Sequence, residues 1–400
     1  MPKALIGICS LVYLLDGLIH SLLGPLAPEI AGALHLGNSQ LGPIFSANLV
    51  GQCLGLVTLP LLAGRIGQRP VVLLSLVGFG LAQAATALAT GATSLFLWRL
   101  VTGIFLGGCL PSCLAMVTAA APPARRGIAI MVLFTGYGLG ATLAGLVATA
   151  FADFGGWRMA MIVVGAGCLV TAVLGALYLR EPEAADDTDD STAQAAGARA
   201  VLQILAPRYL LGTLMLWLLF IAMLTISYCM VSWLPTLLVQ VGHDARFAAL
   251  AISIFSFGGI VAALGVGLLI DRWGAMPTLI GFLCMAAALL FVVGLMLDSA
   301  SSGVLMALLA ACGFFALGAY GGINVVLATF YPASLRATGI GWAKSVGRIG
   351  TVIAPVLIGA ALGVGIAETT IMSLFAVPAA LAVASLGVIA IAQRRIAQRG

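Results

Sequence analysis

The sequence predicts an all-α membrane protein whose twelve transmembrane helices form two six-helix halves. Hydrophobic residues make up 62% of the chain and charged residues only 8%, whereas about 25% of the residues in a soluble domain are charged. Apolar runs of roughly 20 residues, the length needed to cross a bilayer, recur along the whole chain. A motif of the first half also returns in the second half. These observations exclude a soluble globular protein and indicate a multi-pass membrane protein.

The apolar runs give the predicted spans in order. Six spans are expected in the first half of the chain, at 4–27, 41–63, 70–90, 94–117, 128–150 and 158–179. Six more are expected in the second half, at 209–231, 247–270, 276–296, 302–325, 339–362 and 370–391. The even number of spans returns the chain to the side of the membrane from which it started.

The basic residues predict the orientation of the chain, because Lys and Arg in short loops stay on the cytoplasmic side. One set of alternate loops contains only Arg158 and Arg246. The other set contains thirteen bases: Lys3, Arg65, Arg69, Arg125, Arg126, Arg180, Arg199, Arg208, Arg272, Arg336, Arg394, Arg395 and Arg399. Both termini are therefore expected in the cytoplasm, with the protein in a bacterial inner membrane. The chain lacks the basic face interleaved with aromatic residues that nucleic-acid binding needs, so nucleic acid is not expected as a partner.

An internal repeat defines the domain organisation. An arginine, a glycine and a proline recur at an offset of 207 residues, as Arg65, Gly67, Pro70 and as Arg272, Gly274, Pro277. A second set recurs at an offset of 210 residues, as Gly103, Phe105, Gly108, Pro122, Arg126 and as Gly313, Phe315, Gly318, Pro332, Arg336. We therefore predict an N-terminal half at 1–180, an acidic cytoplasmic linker at 181–207 and a C-terminal half at 208–400. Parallel halves of this kind place a binding site near the midplane of the membrane.

Four charged side chains lie deep inside the apolar runs, namely Asp16, Arg99, Lys344 and Arg348. A charge at the centre of a transmembrane helix costs about 2.5–3.5 kcal/mol on insertion scales, so such residues usually have a function. Three of the four are bases and one is an acid. This balance predicts that the protein carries an anion.

The first-half charges suggest a site for proton coupling. Asp16 and Arg99 are expected at similar depths, and protonation of Asp16 would release an arginine paired with it. His20 lies one helical turn after Asp16, so either residue could carry the proton. The alternative is a permanent structural ion pair, with a histidine that only hydrogen bonds to a neighbour.

The second-half charges suggest the substrate site. Arg348 offers a planar fork of donors that suits a carboxylate. Lys344, one turn earlier, could be a second anchor, or its stem could only carry the charge to the membrane surface. Four further side chains could stack on a ring or hydrogen bond to its substituents, with core packing as the alternative for each: Tyr320, Asn324, Tyr228 and Tyr137.

No catalytic or metal-binding pattern is found in the sequence. Its three histidines, His20, His35 and His243, are far apart, and no cysteine spacing matches a metal site. Hydrolysis would require a nucleophile with a base beside it, and metal chemistry would require clustered ligands. We therefore expect neither an enzyme, nor a metal site, nor a cofactor.

Several motifs resemble the major facilitator superfamily over essentially the whole chain. The resemblance rests on the two loop elements, on RLVTGIFLGG at Arg99–Gly108 and on the acidic central loop. It implies that Arg65, Gly67, Asp271, Arg272 and Gly274 belong to loop elements that lock a conformation.

Three further motifs resemble the aromatic acid:proton symporter family: Asp16-Gly17, SWLPTLL at Ser232–Leu238, expected to end the seventh span, and RATGIGWAKSVGRIG at Arg336–Gly350. The resemblance implies import of an aromatic or related carboxylate with protons by alternating access. The expected partners are this small organic anion, protons and the lipid bilayer, and the protein is expected to be a monomer.

Two positions depart from the patterns of these families. Ile19 stands where a second acid usually follows the first, and Gly64 replaces the usual aspartate of the first loop element, which Asp271 retains in the second. The alternative function is proton-coupled export of a drug or metabolite. Carriers for cationic drugs would be expected to hold an excess of acid, and their span-five glycine-proline element is absent from TGYGLGATLAG, so we predict import.

Overall fold

The computed structural model describes residues 2–122, 125–181 and 200–398, and these residues form α-helices joined by short turns. The first six helices are α1 (Pro2–Leu34), α2 (Asn38–Ile66), α3 (Gln68–Ala85), α4 (Ala92–Ala120), α5 (Arg126–Phe151) and α6 (Gly156–Tyr178). The later helices are α7 (Leu210–Gln240), α8 (Ala245–Trp273), α9 (Ala275–Met296), α10 (Ser302–Phe330), α11 (Ala333–Gly363), α12 (Glu368–Leu374) and α13 (Ala376–Gln398). Within the described residues there is no β-strand.

The predicted twelve spans are confirmed, since the described residues contain twelve helical segments that are long and apolar enough to cross a membrane. Several helices are longer than the apolar runs that predicted them. α7, expected to end at 231, continues to Gln240 with Pro235 inside it. A proline removes one backbone hydrogen bond, but the helix can continue when its neighbours compensate. The motif Ser232–Leu238 therefore lies inside α7. Tyr228, which is close to the predicted end of the span at 231, lies in the middle of the observed helix.

The last span is interrupted, although the sequence predicted one continuous helix at 370–391. α12 ends at Leu374, and α13 begins at Ala376. Pro378 follows in the first turn of α13, where it cannot donate a hydrogen bond to the carbonyl of Leu374. The break therefore leaves Pro378 in the first turn of a helix, where a proline is tolerated.

The helices group into two compact units. Unit 1 comprises Met1–Ala185, Val231–Ser256 and Pro355–Ile366, and unit 2 comprises Asp186–Met230, Phe257–Ala354 and Ala367–Gly400. Unit 1 thus contains α1 to α6 together with the ends of three later helices. The division into an N-terminal half at 1–180 and a C-terminal half at 208–400 stays a prediction from the repeat. Most of the linker predicted at 181–207 lies outside the described residues.

Two helix pairs in unit 1 approach so closely that glycine is required at the contact. A Cβ on Gly103 of α4 would lie 2.0 Å from the carbonyl oxygen of Asn48 on α2. A Cβ on Gly17 of α1 would lie 2.1 Å from the carbonyl oxygen of Tyr137 on α5. Small residues that let two backbones touch are typical of packing between transmembrane helices. These contacts hold Asn48 and the turn that contains Asp16 inside unit 1.

Replacing Gly103 with alanine is expected to lower stability, because its Cβ would overlap the backbone of α2. Overpacking of this kind costs about 1–3 kcal/mol. The thermal unfolding midpoint of the purified protein in detergent should fall by several degrees. The matched control is Gly167→Ala on α6, where a Cβ has no heavy atom within 4 Å. Equal midpoints for the two variants would contradict the close contact.

Candidate functional site

Arg99 is the buried cation of unit 1, and it connects three helices. Its side chain is 1% exposed. Nη1 donates a hydrogen bond to Oε1 of Gln83 on α3 at 2.8 Å, and Nη2 donates one to the carbonyl oxygen of Ile19 on α1 at 3.1 Å. Ile19 lies three residues after Asp16, which is itself 1% exposed. The guanidinium of Arg99 therefore contacts α1 within one turn of Asp16.

Neutral acceptors hold the Arg99 side chain in place. Gln83 is fully buried, and its Nε2 atom contacts Sδ of Met161 at 2.9 Å, which orients Oε1 toward the arginine. Nε of Arg99 is buried and has no hydrogen-bond partner within the described residues. The guanidinium thus keeps a spare donor. A direct ion pair between Arg99 and Asp16 stays a prediction.

His20 has a polar partner on α2. Nδ2 of Asn48 lies 3.3 Å from Nδ1 of His20. Asn48 is 3% exposed, whereas His20 is half-buried. Two of the predicted proton-coupling residues, Arg99 and His20, therefore contact neutral amides, Gln83 and Asn48, that were not predicted from the sequence. The only signal in the sequence was an amide inside an apolar run, where a polar group is costly unless it has a partner.

Tyr137 lies beside the turn of α1 that contains Asp16. Its backbone contacts Gly17, and its side chain is half-buried. On the same side of α1, the Tyr13 ring contacts Phe134 edge to face, with a centroid distance of 5.6 Å. The Tyr13 hydroxyl donates a hydrogen bond to the carbonyl oxygen of Leu110 at 3.2 Å. Tyr13, Phe134 and the Tyr137 backbone therefore pack near the turn of α1 that contains Asp16.

Unit 2 brings together three of the predicted substrate-binding residues. Tyr320 of α10 has Tyr228 of α7 and Arg348 of α11 as electrostatic neighbours. Its ring also contacts Phe220 of α7, with a centroid distance of 6.3 Å. Arg348 and Tyr228 are half-buried. Three helices thus supply a guanidinium, two phenol hydroxyls and a phenyl ring to one place.

Glycines allow α11 to approach α7 at this place. A Cβ on Gly347 would lie 2.8 Å from Cβ of Phe220, and a Cβ on Gly350 would lie 2.5 Å from Oγ1 of Thr225. Arg348 lies between these two glycines in the sequence. The glycines that flank it therefore explain how a long charged side chain comes close to the aromatic residues of α7 and α10.

Lys344 and Asn324 are both exposed in unit 2. The Asn324 amide donates a hydrogen bond to the carbonyl oxygen of Gly321 on its own helix at 3.1 Å. Lys344 lies one turn before Arg348 on α11. Their roles in substrate binding stay predictions.

The two repeated loop elements share a backbone conformation. Gly67 and Gly274 have φ values of +93° and +85°, a left-handed region that glycine adopts without strain. In the first element, Oε1 and Oε2 of Glu181 accept hydrogen bonds from the backbone N–H groups of Gln68 and Arg69 at 2.6 and 2.8 Å. A carboxylate at the start of α3 satisfies free N–H groups and complements the helix dipole.

The other members of these loop elements, Arg65, Asp271 and Arg272, are exposed. The first element lacks the usual aspartate, because Gly64 occupies that position. Glu181 supplies a carboxylate to this loop from beyond the end of α6. From the sequence, Glu181 was predicted only as the first residue of the linker, since nothing in its local pattern points to α3.

Polar contacts join several helix ends within unit 1. Arg246, at the start of α8, forms an ion pair with Asp153, just after the end of α5. Nε2 of Gln240 donates a hydrogen bond to Oδ1 of Asn38 at 2.8 Å, which joins the end of α7 to the start of α2. Glu29 of α1 accepts a hydrogen bond from the backbone N–H of Trp157 at 3.0 Å. The ends of α1, α5 and α7 and the starts of α2, α6 and α8 are thus linked by polar groups.

Comparison with known proteins gives a family match over most of the chain. Residues 9–355 and 242–397 match the family model described as Major Facilitator Superfamily. The 3-(3-hydroxy-phenyl)propionate transporter of Escherichia coli (strain K12) is 34% identical over 390 residues, which cover 98% of this chain and 94% of that protein. The gallate transporter of Pseudomonas putida is 31% identical over 399 residues, covering 93% and 88%. The 4-hydroxybenzoate transporter PcaK of Acinetobacter baylyi is 29% identical, covering 94% and 88%.

Solved structures share the fold. A D-xylose-proton symporter superposes with a TM-score of 0.80 at 16% identity, covering 97% of each chain. A bacterial homolog of the lysosomal transporter Spinster, in an inward-facing and unoccupied conformation, superposes with a TM-score of 0.73 at 19% identity, covering 99% of this chain and 96% of that one. The predicted twelve-helix transporter fold is confirmed by these matches.

Proposed function

Because this chain belongs to the Major Facilitator Superfamily, a family of transporters and not of enzymes, we propose that it imports an aromatic or related carboxylate together with protons. Gallate, 4-hydroxybenzoate and 3-(3-hydroxyphenyl)propionate, the compounds named for its relatives, share a carboxylate and a hydroxylated ring. The substrate we propose therefore has an anionic end, an aromatic ring and ring hydroxyl groups.

The cluster of Arg348, Tyr228 and Tyr320 in unit 2 is the observation that carries this proposal. A guanidinium binds a carboxylate through two parallel hydrogen bonds. The two phenol groups can hydrogen bond to ring hydroxyls, and Phe220 beside Tyr320 offers an aromatic surface. This set of groups matches the three chemical features of the proposed substrate. Lys344, Asn324 and Tyr137 are retained as further candidates for substrate contact.

Asp16 is the proposed proton-coupling residue in unit 1, with His20 as the alternative carrier. A buried carboxylate near a guanidinium loses a favourable interaction when it is protonated. Arg99 reaches the turn after Asp16 and keeps Nε as a spare donor. Proton binding at Asp16 would therefore change what Arg99 contacts, which is how we propose that protonation favours rearrangement of the helices.

The remaining parts of the proposal rest on the sequence. The parallel repeat of six spans supports alternating access. The excess of arginine in alternate loops supports cytoplasmic termini and a bacterial inner membrane. We propose that one chain transports by itself, as a monomer.

Uptake into proteoliposomes tests the proposed function. Radiolabelled gallate, 4-hydroxybenzoate, 3-(3-hydroxyphenyl)propionate, nicotinate and a dicarboxylate would be compared with and without an inward proton gradient. We expect at least one aromatic acid to accumulate with the gradient and to lose accumulation when an uncoupler is added. Empty liposomes under the same gradient control for passive entry of the protonated acid.

The same assay distinguishes import from proton-coupled export. An exporter of cationic drugs would show no gradient-driven accumulation of any acid and would extrude a lipophilic cation instead. Three bases to one acid among the charges within the spans favour an anionic substrate. Extrusion of the cation without uptake of an acid would overturn the proposed function.

A further inference from the structure

One polar atom of the Asn48 side chain has a hydrogen-bond partner, and the other has none within the described residues. Its Nδ2 atom lies 3.3 Å from Nδ1 of His20. Its Oδ1 atom is buried and has no hydrogen-bond partner within the described residues. The Asn48 backbone is held against Gly103 of α4. The amide group can therefore turn about its last bond without losing another hydrogen bond and without moving α2.

The charge of His20 decides which Asn48 atom it needs. In a neutral imidazole that carries its proton on Nε2, Nδ1 is an acceptor and pairs with the Asn48 NH₂ group. In the imidazolium ion both ring nitrogens are donors, so Nδ1–H would face another donor. A half-turn of the amide then presents Oδ1 as the acceptor.

We propose that Asn48 is a positioning residue for His20: its NH₂ group holds the neutral ring in the Nε2–H tautomer, and its oxygen accepts from Nδ1–H when the ring is protonated. Asn48 thus gives His20 a hydrogen bond in both charge states. The hydrogen bond matters because Asn48 is buried, and an unpaired donor or acceptor in a buried position costs about 1–3 kcal/mol. The part that concerns transport rests on the proposed function, in which protons drive uptake through this site.

Other ionisable groups lie near His20, and their charges act on it while the Asn48 amide rotates. Asp16 and Tyr13 lie on its own helix, Arg99 reaches the same turn from α4, and Tyr137 packs there from α5. α2 contributes neutral amides. Arg158, the basic residue of α6, donates to the carbonyl oxygen of Ala87. Because the Asn48 amide is uncharged and carries both a donor and an acceptor, it can pair with His20 in both charge states.

The tautomer of His20 can be measured directly. The chain has three histidines, His20, His35 and His243. Nitrogen-15 NMR of histidine-labelled protein in lipid, with the His20 signals assigned from a His20→Gln sample, distinguishes Nδ1–H, Nε2–H and doubly protonated rings. For the wild type at high pH we expect a single Nε2–H tautomer for His20. A neutral His20 with its proton on Nδ1 would overturn the proposal, whatever any variant shows.

Two substitutions at Asn48 are expected to act in opposite directions. Asn48→Leu removes both partners, so the neutral ring should become a mixture of tautomers and the protonated fraction at a given pH should fall. Asn48→Asp adds an acceptor with charge, so the protonated fraction should rise. We expect the pH dependence of uptake to shift by about one pH unit, to lower pH for Asn48→Leu and to higher pH for Asn48→Asp.

The matched control is Ser75→Ala, which alters a fully buried hydroxyl that has no partner among the described residues and lies outside this site. It should leave the His20 signals and the uptake profile unchanged. If Asn48→Leu does not fold, as judged by size-exclusion chromatography, the Asn48→Asp variant and the wild-type tautomer still test the positioning role of Asn48.

The NMR and uptake results separate this inference from the proposed function. Proton-driven uptake with His20 signals that do not respond to either Asn48 substitution would overturn the role of Asn48 alone. A tautomer that follows Asn48, in a protein that accumulates no acid under a proton gradient, would support the positioning role and overturn the proposed symport.

Discussion

Replacing Arg348 with alanine is expected to weaken carboxylate binding strongly while the protein stays folded. Arg348 is half-buried, and Tyr320 has both Arg348 and Tyr228 as electrostatic neighbours. Truncating one member of a hydrogen-bonded charge pair costs about 2–5 kcal/mol, which corresponds to a loss in affinity of roughly 30-fold to more than 1,000-fold. Equilibrium binding of the radiolabelled acid to purified protein measures this loss.

Two further variants make the Arg348 result specific. Arg348→Lys keeps the charge but loses the planar fork, so affinity should fall between that of the wild type and that of Arg348→Ala. Arg336→Ala removes an exposed arginine from the start of the same helix and should leave binding unchanged. Normal affinity in Arg348→Ala would exclude Arg348 as the carboxylate anchor and direct attention to Lys344.

Replacing Asp16 with asparagine is expected to remove proton-driven accumulation and to leave exchange of substrate at equal pH. The amide has nearly the shape of the acid but cannot ionise, so proton binding can no longer change the contacts of Arg99. Accumulation against a gradient should fall to the level of equilibration, while counterflow of labelled for unlabelled acid continues. Both are measured in the same proteoliposomes.

Glu29→Gln is the matched control for the Asp16 variant. Glu29 is the other acid of α1, and its acceptor role toward Trp157 is one that glutamine can retain. Normal accumulation is expected for this variant. Normal accumulation in Asp16→Asn would instead place the proton elsewhere, and His20→Gln would then be the variant to measure.

The sequence predicted the class, the spans and the charged residues, because each is a property of a local segment in a bilayer. An apolar run of sufficient length crosses the membrane wherever it occurs. The repeat also predicted that Gly67 and Gly274 are equivalent, and both have positive φ. The ends of the helices were less predictable. α1 continues beyond 27 to Leu34, with Pro25 and Pro28 inside it, so hydropathy and prolines did not mark where the helix ends.

The partners of the charged residues could not be predicted in the same way. Gln83 lies 16 residues before Arg99 and on another helix, and Asn48 is likewise separated from His20 by a helix boundary. Which faces of α1, α2, α3 and α4 meet depends on the rotation and depth of each helix. Because Gln83 and Asn48 are uncharged, the sequence does not indicate that they face the charged residues. Glu181 was missed for the same reason, since its target at the start of α3 is distant in the sequence.

By itself, then, the sequence determined that this protein has twelve membrane spans and that their apolar runs contain three bases and one acid, since hydropathy and the cost of intramembrane charge act on each helix separately. Only the tertiary structure decided that Arg99 is held by Gln83 and Ile19, that His20 meets Asn48, and that Arg348 is an electrostatic neighbour of Tyr320. The physical reason is that these contacts need helices to approach at particular depths. Glycines such as Gly103 and Gly347 set that approach by allowing one helix to contact the next.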